Sequence, residues 1–67
     1  MQKSTLQGRE VIIEFYQVGN VVKVSAMDIA TLTEASIQGP VSTPEQTLKN
    51  NAMRRLEYVL RKKGIIA

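Results

Sequence analysis

The dipeptide Gly19-Asn20 stands between two stretches that alternate apolar and polar side chains, EVIIEFYQ at 10–17 and NVVKVSAM at 20–27. Two such runs joined by a short turn with glycine leading read as a β-hairpin closed by a type II′ turn. No other feature constrains the chain as strongly, because a two-residue turn decides which residues face each other. Val18 is then paired with Val21, Phe15 with Val24 and Ile13 with Ala26. Val11, Ile13, Phe15, Val22, Val24 and Ala26 fall on one face. On the other, Glu14 meets Ser25 and Tyr16 meets Lys23. A slip of one residue would scramble both faces, so the pattern fixes the register.

Past Met27 the alternation breaks at Asp28, a turn former. TEASIQ at 33–38 resumes it as a short third strand, with Ala35 beside Ala26 and Ile37 beside Val24. Gly39-Pro40 closes that strand. Thr43-Pro44-Glu45-Gln46 has the form of a capping box, with Thr43 as N-cap and Pro44 in the first helical position. Leu48, Ala52, Leu56, Val59 and Leu60, flanked by Met53, recur on one stripe of a 3.6-residue period. Gly64 fits the left-handed position after the last turn, where Ile65 can touch Leu60 in a Schellman ending. The helix is predicted over residues 44–63. Residues 1–9 show no periodic apolar pattern and read as a flexible arm; residues 10–67 read as a single domain. The expected fold class is α+β: a three-stranded antiparallel β-meander with one C-terminal α-helix packed on one face, β-β-β-α. Its core comprises the six hairpin residues named above with Ile37, Leu48, Ala52, Leu56, Val59 and Leu60.

The 67 residues include no cysteine and no histidine. That removes disulfides, thiolate and imidazole metal ligands, the Ser-His-Asp triad and the cysteine nucleophile together. Below about 70–80 residues an apolar core supplies only about 3–5 kcal/mol, so with staples and metals excluded a partner chain is the remaining aid. Glu10 and Glu14 share a strand face roughly 13 Å apart by strand rise, wider than the ~5–9.5 Å of paired glycosidase carboxylates. They read as solvated residues pairing with Lys23 and its neighbours. The four glycines are isolated and form no phosphate-binding fingerprint. No enzyme activity, cofactor or metal is expected. MQKSTLQG at the start has no apolar segment, and no run approaches the ~20 apolar residues of a membrane span. A cytoplasmic location is expected.

Charge is unevenly spread. Residues 1–43 hold three basic and four acidic side chains, a net of −1, whereas residues 44–67 hold six basic and two acidic, a net of +4. Part of this surplus is what a helix C-terminus favours, worth about 0.3–1 kcal/mol per cation. On the polar side of the helix, Tyr58 has Arg54 and Lys62 four residues away and Arg55 and Arg61 three away. A ring surrounded by cations can stack on a base while the cations hold phosphates. The same cluster also reads as a solvated face, or as a subunit-interface anchor. A second feature is the outer sheet face, where Ile12, Tyr16, Val18, Val21 and Met27 point away from the helix. In a monomer it would leave an apolar patch open to water.

Three stretches, NVVKVSAMD at 20–28, TEASIQGP at 33–40 and RRLEYVLRKKG at 54–64, resemble a family of short, uncharacterised bacterial proteins. The resemblance implies a stand-alone soluble domain with no established activity, and it carries over no functional residues. QTLKNNA at 46–52 is also similar to the start of the last helix in the double-stranded-RNA-binding domain. Only Lys49 matches that family's phosphate-gripping lysines, and its first helix has no counterpart here.

The sequence thus points to a non-catalytic domain that works by protein association, most simply as a homodimer through Ile12, Tyr16, Val18, Val21 and Met27. The alternative is nucleic-acid (RNA) binding through Arg54, Arg55, Tyr58, Arg61 and Lys62.

Overall fold

The computed structural model describes residues 2–67. In chain order it forms β1 (Gln2–Leu6), β2 (Arg9–Val18), β3 (Val21–Asp28), β4 (Thr33–Pro40) and α1 (Glu45–Lys62). The strands make one antiparallel sheet in the order β1-β2-β3-β4, so each is bonded to its neighbour in sequence. The expectation of three strands is therefore corrected to four, within the α+β class.

The added strand is the stretch read as an arm. Gln2–Leu6 pairs along its whole length with β2, from Gln2 opposite Ile13 to Leu6 opposite Arg9. Gln7 and Gly8 join the two strands with φ of 51° and 78°, the positive pair that a type I′ hairpin turn demands. QKSTL has one apolar side chain, Leu6, which packs against the core. Its other contribution is the ladder of main-chain hydrogen bonds, to which side-chain periodicity is blind.

The second hairpin has the register deduced from its turn. Val18 faces Val21, Phe15 faces Val24 and Ile13 faces Ala26. Gly19 has φ of 60°, as the leading position of a II′ turn requires. Ala35 lies opposite Ala26 and Ile37 opposite Val24 in the β3–β4 pairing.

The helix lies over β3 and β4. Leu48, Ala52, Leu56 and Leu60 are its buried stripe, spaced four residues apart. They meet Val11, Ile13, Val22, Val24, Ala26 and Ala35 in the buried core, and Leu6, Phe15, Ile37, Met53, Val59, Ile65 and Ile66 pack around it. Full burial of each large aliphatic side chain contributes roughly 1.5–3 kcal/mol. Gly39 lets the start of the helix come close: a Cβ there would lie 2.7 Å from Leu48 Cδ2.

The helix ends differ in how well the sequence anticipates them. At the C-terminus the Ile65 amide donates to the Leu60 carbonyl at 2.9 Å and the Gly64 amide to Arg61 at 3.0 Å, completing the Schellman motif around Gly64 at φ 75°. At the N-terminus the capping box does not form. Pro44, in the polyproline region at φ −57° and ψ 140°, is the cap, and no side chain bonds to the free amides. Pro44 has the φ a helix needs but an extended ψ, so the boundary falls one position later than the capping box places it. Glu45 in the first turn complements the helix dipole instead.

Candidate functional site

Two exposed faces and one buried polar cluster carry all the notable chemistry. The outer sheet face is organised in rows by the strand register. Lys3, Ile12, Met27 and Glu34 are neighbours across all four strands. The next row inward is Glu14, Ser25 and Ser36, followed by Tyr16, Lys23 and Gln38, and then Val18, Val21 and Pro40. The candidate contact residues thus fall into two groups. Ile12 and Met27 are cross-strand partners and half-buried. Tyr16, Val18 and Val21 are exposed by 49%, 79% and 44% near the Gly19-Asn20 turn, and the Glu14–Ser25 pair separates them from Ile12 and Met27.

Tyr16 donates its hydroxyl proton to Glu14 Oε1 at 2.8 Å. This bond to a carboxylate pushes the phenol pKa above its ordinary value; desolvation and the charges of Glu14 and Glu34 act in the same direction. The partner of Glu14 is therefore a tyrosine on its own strand rather than Lys23. Glu10 approaches Lys3 at 3.9 Å, an exposed pair of little energetic weight.

The outward face of α1 centres on Tyr58, 53% exposed. Arg55 Cζ and Lys62 Nζ each lie 5.9 Å from the ring centroid, an exposed cation–π arrangement worth roughly 0.5–1 kcal/mol. Arg61 is engaged elsewhere: Nη2 donates to Glu57 Oε2 at 3.1 Å and Nε to the Ala67 carbonyl at 3.0 Å. Among the described residues Arg54, Arg55 and Lys62 have no carboxylate within ion-pair distance. Lys49 is half-buried beside Gln2, Phe15, Glu45 and Gln46, on a different side of the helix. The phosphate-gripping role that its position resembles is not reproduced by that placement. A strand, β1, also precedes the three that the RNA-binding likeness called for.

The cluster that sequence reasoning missed lies at the opposite end of the sheet from Gly19-Asn20. Asp28 is fully buried. Arg9 grips it with a two-pronged contact, Nε to Oδ1 and Nη2 to Oδ2, both 3.0 Å. Thr31 adds its hydroxyl at 2.6 Å and its amide at 3.2 Å to Oδ2, and its hydroxyl also lies 2.8 Å from that of Thr33. The Arg9 hydrogen bond holds the Asp28 carboxyl below the usual carboxylate range against the opposing effect of burial, and Thr31 and the charge of Arg9 add to it. Reciprocally, hydrogen bonding to Asp28 raises the Arg9 pKa. The register did contain the signal: the parity that turns Val11 and Ala26 inward also turns Arg9 and Asp28 inward.

Beside this cluster Gly8, Arg9, Glu10, Ile29 and Ala30 line an open cleft. The charged groups in its lining are Glu10 and Arg9, whose Nε and Nη2 are engaged by Asp28. Among the described residues no three acidic side chains gather where they could hold a metal ion. No helix among them is long and apolar enough to cross a membrane.

A sheet covered on one side by a single helix defines a small α+β domain, and the exposed features described above are surfaces. Residues 8–63 match the family model of a domain of unknown function, DUF6898, and the chain belongs to that family. This agrees with the resemblance to a short family lacking an established activity. No curated protein and no solved structure matches the chain.

Proposed function

We propose that this domain is a non-catalytic association module that acts as a homodimer through its outer sheet face. The observation that carries the reading is the row Lys3, Ile12, Met27 and Glu34: an apolar pair with a cation at one edge and a carboxylate at the other. A two-fold contact must be complementary to itself. If the axis runs parallel to the strands between β2 and β3, every row meets its own reverse. Ile12 then faces Met27 of the second copy, Val18 faces Val21, and Lys3 faces Glu34. Aligned sheets about 10 Å apart are an ordinary way to cover two such faces.

The lack of thiol and imidazole groups supports a non-catalytic role, and the exposure of Val18 and Val21 supports a contact near the hairpin tip. Sedimentation equilibrium across micromolar concentrations tests the reading. A dimer is expected, weakened by Val21→Glu and by either Lys3→Glu or Glu34→Lys, with partial recovery when the two reversals are combined. A strict monomer of full stability would overturn it.

A further inference from the structure

The outward face of α1 differs from the sheet face in being of one sign. We infer that it is a binding surface for single-stranded nucleic acid, in which Tyr58 stacks on an unpaired base while Arg54, Arg55 and Lys62 contact the flanking phosphates. Four observations converge on this assignment. Tyr58 is half exposed although it lies on the helix that covers the sheet, and it takes no part in the core. Arg55 Cζ and Lys62 Nζ stand over the ring at 5.9 Å from its centroid, the outer limit of cation–π contact, so an incoming base can displace either. Arg54, Arg55 and Lys62 have no acidic partner among the described residues. The nearest carboxylate on the helix, Glu57, is occupied by Arg61, which leaves the cations around Tyr58 unneutralised.

The chemistry separates the possible polyanions. An exposed ring with cations loosely over it offers a stacking platform once a base displaces one of them, the displaced cation then meeting a flanking phosphate. Paired bases are already stacked and give Tyr58 nothing to cover, so a duplex would engage the cations alone. An anionic bilayer would likewise use the cations alone, because Leu48, Leu56 and Leu60 are spent on the core and the outward face has no aliphatic wedge to insert. From Arg54 to Lys62 the face extends roughly 12 Å at 1.5 Å per residue, room for a few nucleotides.

Fluorescence anisotropy of the full chain with a labelled single strand of about 12 nucleotides tests the assignment. Binding is expected at low salt, with log affinity falling against log salt at a slope near −2, for about three phosphate contacts at roughly 0.7 each. Tyr58→Ala is expected to weaken binding about tenfold at unchanged circular dichroism. Arg54→Ala combined with Arg55→Ala should roughly halve the slope or more. Val21→Glu, on the sheet face, should leave binding intact, which separates this surface from the association surface. No anisotropy change at low salt would overturn the inference. So would equal affinity of the wild type and Tyr58→Ala, equal affinity for a duplex of the same length, or tighter binding to phosphatidylserine vesicles than to the single strand.

Discussion

The two ends of the sheet are built on different principles. At one end Gly19-Asn20 closes β2 and β3 with backbone geometry, and the side chains beside it, Val18 and Val21, stand largely in solvent. At the other end Arg9, Asp28, Thr31 and Thr33 lock three strands together by side-chain hydrogen bonds around a fully buried carboxylate. The end near Asp28 is pinned by side-chain bonds, and the end near Gly19 leaves apolar side chains in solvent. In a domain this small the division has a physical reason. A buried charge is tolerated only when it is paired and hydrogen-bonded, and that requirement ties β2 and β3 to the turn before β4.

Breaking the pinned end should have the largest consequence. Asp28→Ala strips Arg9 and Thr31 of their acceptor and should cost about 2 kcal/mol in urea unfolding, or a fall in Tm of roughly 10 °C for a chain of this size. Acidification should probe the same group more gently. Because Arg9 lowers the carboxyl pKa in the folded state, the unfolded chain takes up that proton first as pH falls. The stability Asp28 contributes is thus full above pH ~4 and is lost as pH falls through the folded value. Chemical unfolding at stepped pH should show this loss in the wild type and a flatter profile in Asp28→Asn.

Smaller changes sharpen the contrast. Leu32, in the turn behind Asp28, has φ of 60° and is 68% exposed, so it bears backbone strain without a packing return. Leu32→Gly should raise stability by roughly 0.5–1 kcal/mol, read as a shift in the urea midpoint, once the added freedom of the unfolded glycine is set against the relief. At the open end Val18→Ser should change the same midpoint by less than about 0.5 kcal/mol while reducing self-association in sedimentation.

Where one face of an element is buried, the sequence was transparent. The alternation around Gly19 gave the β2–β3 pairing residue by residue, and the four-residue spacing of Leu48, Ala52, Leu56 and Leu60 gave the helix and its buried side. Gly64 and Ile65 announced the Schellman ending because that motif depends on one glycine and one apolar residue. What stayed hidden depends on other physics. β1 is held chiefly by main-chain bonds, which any residue but proline can make, so QKSTL carries little imprint of its pairing. The positive φ at Gln7 was equally concealed, since glutamine is not a residue that advertises it. The Arg9–Asp28 bond joins residues nineteen apart, and only their shared parity with Val11 and Ala26 hints at it. Of the candidate surfaces, the sequence identified the outward helix residues but not that Glu57 and the chain end engage Arg61. It named the outer sheet residues and the Glu14 and Ser25 that interrupt them, but not that Ile12 and Met27 are half-buried while Tyr16, Val18 and Val21 are exposed.

The up-and-down order of the sheet also bears on how quickly the chain finds its fold. Each strand bonds to the one before it, across connections of two, two and four residues, so no segment waits for a distant partner. Closing such short loops costs little entropy, and hairpins of this kind form in about 1–10 μs. A meander of local sheet pairings lowers the mean sequence separation of its contacts, which favours fast folding.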